Sequence, residues 1–163
     1  MGTLLVLVLA ASAAAVSPDL VRLENSFHAE AVRRALAGAA ARMEGARCQD
    51  VLTDFRDRDG HTLRQNLDAL GQTPPGFLGR IFFYDGDLSL TCRRQDRGQV
   101  YAFTAPGSHV VFVCGSRFHE GWRRKPEWGE IILIHEALHS LGLGEDPPSS
   151  EEITARVAGS CAP

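Results

Sequence analysis

His135-Glu136-Ala137-Leu138-His139 lies inside an apolar run, with Ile131-Ile132-Leu133-Ile134 ahead of it and Leu141 and Leu143 behind. Residues 128–141 therefore read as one helix that is apolar nearly all round, and such a helix is buried. On a helix, positions four apart lie one turn apart on the same face. His135 and His139 can thus direct both imidazoles at one metal ion. Glu136 stands one residue past the first imidazole, beside the ion rather than on it. There a carboxylate can take a proton from water activated by the metal. Two histidines and a glutamate in a buried helix are costly unless they are paired or metal-bound. Zinc is the expected ion, because two histidines, one carboxylate and an open position make a catalytic zinc set.

The rest of the chain sets the frame. Its 163 residues are 44% hydrophobic and 23% charged, enough for one domain with a sizeable core. The net charge of −3 gives no reason to expect a nucleic-acid partner. The seventeen cationic residues include a single lysine, Lys125. Thr3-Leu4-Leu5-Val6-Leu7-Val8-Leu9-Ala10-Ala11 reads as the apolar region of a secretory signal, with Ala13-Ala14-Ala15 for cleavage. Residues 1–17 are therefore expected to be a signal peptide and residues 18–163 one domain, secreted or periplasmic, with no stable membrane insertion after cleavage. Residues 18–47 are a propeptide or an N-terminal helix. Cys48, Cys92, Cys114 and Cys161 all follow the signal, and an even count in an exported chain implies two disulfides. The expected pairs are Cys48–Cys92 and Cys114–Cys161.

Hydrophobic spacing predicts a long helix over residues 19–44, a short element over 48–55 and a second helix over 61–70. Thr73-Pro74-Pro75-Gly76 breaks the chain. Strands are expected at residues 80–84, 88–93, 99–104 and 109–114. Residues 115–126 read as a loop before the motif helix, and a short last helix covers 151–157. Ser149-Ser150-Glu151-Glu152 has the capping-box form, which gives Glu152 a structural role. Asp57-Arg58-Asp59-Gly60 does not fit a calcium loop and reads as a solvated turn.

From His135 onward the chain resembles the zincin metallopeptidases, and within them the metzincin pattern H-E-x-x-H-x-x-G-x-x-H/D. Gly142 falls where that family's helix turns sharply. The family's third ligand falls at Glu145, where His or Asp is usual; Glu152 and Asp146 are the alternatives. The only methionines are Met1 and Met43, so no Met-turn follows the motif. The stretch Val111-Phe112-Val113-Cys114, then a loop, then the helix, is also similar to exported zincins of the deuterolysin (aspzincin) type.

The resemblance implies an α+β fold: a small zincin-like domain with N-terminal helices, a small mixed sheet, a buried active-site helix and a short C-terminal helix. It implies a zinc metalloendopeptidase in which His135, His139 and Glu145 hold Zn2+ and Glu136 is the general base. The partner is a peptide or protein substrate, laid as an extra strand along residues 109–114. The alternatives are a catalytically inactive zincin-fold binding protein and a zinc hydrolase of a non-peptide amide. His28, His61 and His119 read as ordinary histidines, and so does His109 first of all, with a place near the cleft as its minor reading because it opens the strand ahead of the motif. Tyr84 and Tyr101 are the tyrosines available to assist an oxyanion, and nothing in the sequence selects between them.

Overall fold

The computed structural model describes residues 18–94 and 100–162; the expected signal at residues 1–17 lies outside them. In chain order the elements are β1 (Val21–Arg22), α1 (Ser26–Met43), α2 (Ala46–Gln49), α3 (Val51–Asp54), α4 (Leu63–Ala69), α5 (Pro74–Leu78) and β2 (Phe82–Asp85). Then come α6 (Leu90–Arg93), β3 (Ala102–Phe103), β4 (Val110–Val113), α7 (Gly115–Arg124), α8 (Pro126–Ser140) and α9 (Ser150–Ser160). The fold is α+β, with a four-stranded mixed sheet in the order β1-β2-β4-β3. β1, β2 and β4 run parallel, and β3 runs antiparallel to β4.

The helix α8 is the axis of the core. Leu133, Ile134, Ala137 and Leu138 are fully buried, as are Val32, Ala35, Leu36 and Ala39 of α1 against them. Burying a Leu or Ile side chain stabilises by about 1.5–3 kcal/mol. Gly129 lets the helices close up: a methyl there would meet Trp122, Phe118 and Ala35 at 3.0, 3.2 and 3.4 Å. Arg42 of α1 pairs with Glu130 of α8, and its Nη1 donates to the Cys161 carbonyl at 2.5 Å. Residues 18–47 thus build part of the core that holds α8.

Several local departures from the sequence expectation have physical causes. The first helix starts at Ser26 rather than near residue 19, because the Asn25 side chain accepts from the Phe27 and His28 N–H groups and caps it. Phe27, expected on the apolar stripe, is 72% exposed. Thr73 caps α5 and Pro74 opens it, so the proline pair starts a helix as well as ending a loop. Residues 88–93 hold the short helix α6 in place of a strand, capped by Ser89. Residues 115–126 hold α7 in place of a loop. Its Phe118 is buried and Trp122 partly buried on one face, while Arg117, Glu120, Arg123 and Arg124 dilute the apolar signal.

The disulfides also differ: the bonds are Cys48–Cys161 and Cys92–Cys114, not Cys48–Cys92 and Cys114–Cys161. Cys92 follows β2 and Cys114 follows β4. The pairing of those strands, Asp85 opposite Val113, brings the two cysteines to a Cα separation of 5.3 Å. Cys161 at the end of α9 meets Cys48 on α2. The strand expected to receive a substrate, β4, is internal and hydrogen-bonded on both sides; the free edge beside it is β3.

Peptide mapping without reduction should recover Cys48–Cys161 and Cys92–Cys114. Cys161→Ser opens a closure of 113 residues and should lower stability by roughly 2–5 kcal/mol. A Cys48–Cys92 peptide would contradict this arrangement.

Candidate metal centre

The last turn of α8 and the chain just beyond it bring three donor atoms together. His135 Nε2 and His139 Nε2 lie 2.9 Å apart. Glu145 Oε1 lies 3.1 Å from His139 Nε2 and 3.6 Å from His135 Nε2. Tetrahedral zinc with bonds of about 2.0–2.1 Å needs ligand atoms roughly 3.3–3.4 Å apart. The three separations bracket that value. Both imidazoles are buried, while the Glu145 side chain is 49% exposed and closes the site from the solvent side.

The other ring nitrogens show what chemistry the donors offer. His139 Nδ1 is 2.8 Å from the Leu143 carbonyl, which only accepts, so Nδ1 is the donor there and in the neutral ring Nε2 carries the lone pair. His135 Nδ1 is 2.9 Å from the Thr154 hydroxyl, which can accept in the same way. Burial, then the neighbouring His139, holds His135 well below its ordinary 6.5, so it is neutral at pH 7. With both rings donating through Nδ1, two imidazole lone pairs and a carboxylate converge. Three acceptors at such distances repel one another unless a cation lies between them, and the donor set therefore fits zinc.

Gly142 shapes this geometry. Its φ of 109° reverses the chain after α8, with Gly142 N–H donating to His139 O and Leu143 N–H to Leu138 O. That is a Schellman closure, and it swings the Leu143 carbonyl onto His139. A second tie comes from Asn66, whose Nδ2 donates to Leu141 O and to Asp57 Oδ2, both at 2.9 Å. From the loop between β3 and β4, Gly107 N–H donates to His139 O at 2.8 Å.

Glu136 is buried, and its Oε2 has no hydrogen-bond partner among the described residues. Burial, reinforced by the Glu145 charge, pushes its carboxyl up to about 8. Two adjoining depressions open beside it. One, about 590 Å³, runs past the three donors and is bordered by Arg58, Ala102, Thr104 and Pro106. The other, about 530 Å³, runs along α8 between Tyr101, Trp128, Ile132, Ala155 and Ala158.

The structure brings His135, His139 and Glu145 together with Glu136 alongside. Glu152 does not join them. It completes the capping box, accepting from Ser149 N–H at 2.8 Å, and that bond pulls its carboxyl below the ordinary value. Asp146 borders the cleft outside the three-atom group. His109 does not border it: the ring packs edge-on against Phe77. Tyr101 reaches the cleft, whereas Tyr84 lies next to Phe112 and Arg22. Thr154 and the Asn66–Leu141 tie carry no motif, since they act across 19 and 75 residues of sequence. No family model, curated protein or solved structure matches the chain.

Two results should follow. Thr154→Val removes the acceptor behind His135 and should weaken zinc affinity 10–100-fold, with Thr154→Ser restoring most of it; competition with a chromogenic chelator reads both. The second concerns pH in the metal-free protein. Glu136 keeps its proton to about 8 when folded and to the ordinary 4.5 when unfolded, so between these values the folded state binds more protons. Stability must then fall as pH rises. His135 acts oppositely, mostly below 6.5 and with a small remainder above it. From pH 6.5 to 8 the metal-free parent should therefore lose about 1 kcal/mol, and Glu136→Gln should lose none; denaturant titration across that range checks it.

Proposed function

We propose that this chain is a zinc-dependent peptidase, exported by the apolar segment at its N-terminus, in which Glu136 is the general base. The observation that carries the reading is the meeting of His135 Nε2, His139 Nε2 and Glu145 Oε1, with a buried carboxylate beside them whose Oε2 has no hydrogen-bond partner among the described residues. Such a carboxylate serves no binding role, but it suits proton transfer. The two disulfides fit an oxidising compartment, and no described helix is long and apolar enough to cross a membrane.

Zinc, when bound, supplies Lewis acidity that polarises a carbonyl and makes water acidic near neutral pH. The protein's own groups do the rest. Glu136 takes a proton from the attacking water and delivers it to the leaving amine. Its raised affinity for protons suits both halves of that transfer. His135 and His139 are held in register by Thr154 and the Leu143 carbonyl.

A peptide is the favoured substrate because of β3. Tyr101 O accepts from Cys114 N–H, and Ala102 lies opposite Val113 in an antiparallel register. Alternation then turns the Ala102 N–H and C=O away from β4, and Ala102 borders both depressions. An extended chain added there would pass over Glu136. The depression along α8 would take an apolar side chain next to the scissile bond.

Three variants test the roles side by side, by zinc content and by turnover of a mixed peptide pool. Glu136→Gln should keep zinc and lose 10²–10⁴-fold in rate. Glu145→Ala should lose zinc affinity and rate together. Glu152→Ala should keep both at a cost of about 0.5–2 kcal/mol in stability. A zinc-loaded parent that cleaves no peptide would replace the peptidase reading with a zinc-binding module. Loss of zinc in Glu152→Ala alone would move the third ligand to α9.

A further inference from the structure

Asp57-Arg58-Asp59-Gly60 reads in sequence as a solvated turn, yet the fold fixes it to the metal helix. Asp57 Oδ1 accepts from the Asp59 and His61 N–H groups, both at 2.9 Å, which orders the turn. Asp57 Oδ2 accepts from Asn66, and the same Asn66 amide holds the Leu141 carbonyl at the end of α8. A methyl added at Gly142 would touch Asp57 Cβ at 3.3 Å, so the two turns are packed face to face. The turn that carries Arg58 and the turn that carries the donor set are thus one unit.

Arg58 stands on the cleft side of that unit. It borders the same 590 Å³ depression as His135, Glu136, His139 and Glu145. It is the one cationic side chain among the described residues that border either depression beside Glu136. Most arginines of the described chain are committed elsewhere: Arg42 to Glu130, Arg64 to Gln49, Arg117 to the Arg94 carbonyl, Arg156 to Asp54. Arg58 makes no hydrogen bond or ion pair with a described residue. An unpaired guanidinium on an anchored turn at the rim of a cleft is a fork for a planar anion.

We infer that Arg58 binds a carboxylate of the substrate and sets a preference for peptides that carry one beside the scissile bond. The inference rests on the metallopeptidase reading. The carboxylate has two sources, the chain's C-terminus or an Asp or Glu side chain, and both present the same two oxygens. Lysine at this position would keep the charge but lose the two-pronged geometry.

The test uses zinc-loaded Glu136→Gln protein, titrated calorimetrically with small hydroxamates, which bind zinc directly. One carries a free α-carboxylate, one a side-chain carboxylate on an amidated end, and one is the fully amidated neutral form. A carboxylate form should bind roughly 10–100-fold tighter than the neutral one. The arm that gains identifies the source. Adding Arg58→Gln should erase the gain, and Arg58→Lys should keep only part of it, with zinc content and neutral-hydroxamate affinity unchanged in both. Equal affinity for all three hydroxamates, or a gain that survives Arg58→Gln, overturns the role of Arg58 while leaving the metal site intact. Protein that takes up no zinc, or zinc-loaded protein that binds no hydroxamate, overturns the metallopeptidase reading itself and the inference with it.

Discussion

Three lone pairs pointed at one spot are the constraint on which this structure turns. His135 and His139 face each other at 2.9 Å through nitrogens that, in the neutral rings, carry no proton while the far sides donate to Thr154 and Leu143. Glu145 adds a carboxylate to the same spot. Such an arrangement is unfavourable by itself, so the rest of the fold has to impose it. Helix α8 is gripped by α1 and α7, its end is folded back by Gly142, and α9 is drawn over it by the Cys48–Cys161 bond. A cation turns that repulsion into attraction, so the binding energy of the ion becomes part of the folding energy.

The same packing gives Glu136 its character. A carboxylate buried as deeply as that of Glu136 would be a defect in a purely structural core, because its charged form is penalised there. Next to the donor set it becomes a group whose proton affinity is moved toward neutrality, where a proton shuttle is most effective. On the proposed peptidase reading, the burial that weakens the metal-free protein also prepares Glu136 for proton transfer, the ordinary tension between stability and function.

Much of this was legible in the residues. The spacing of His135, Glu136 and His139 and the apolar run around them fixed the helix and its burial. Gly142 marked the turn, and Ser149 with Glu152 marked the start of the last helix. What could not be read were relations across long stretches of chain. The cysteine pairs depend on β2 lying beside β4, and pair preference along the sequence carries no trace of that. Thr154 and Asn66 are unremarkable in sequence, because their partners are ring nitrogens and carbonyls placed by tertiary packing. Helix α7 was hidden by its charges, since only Phe118 and Trp122 mark its inner face. The turn at residues 57–60 read as solvated, and Arg58, Asp59 and Gly60 are indeed exposed. Only the Asp57–Asn66–Leu141 tie reveals where that turn is held.

The most direct check of the central claim is X-ray absorption at the zinc edge of the metal-reconstituted protein. The account predicts one zinc per chain, with two imidazole nitrogens and light oxygen donors at about 2.0–2.1 Å and no sulfur. A sulfur shell near 2.3 Å, or a six-oxygen shell without imidazole scattering, would contradict it.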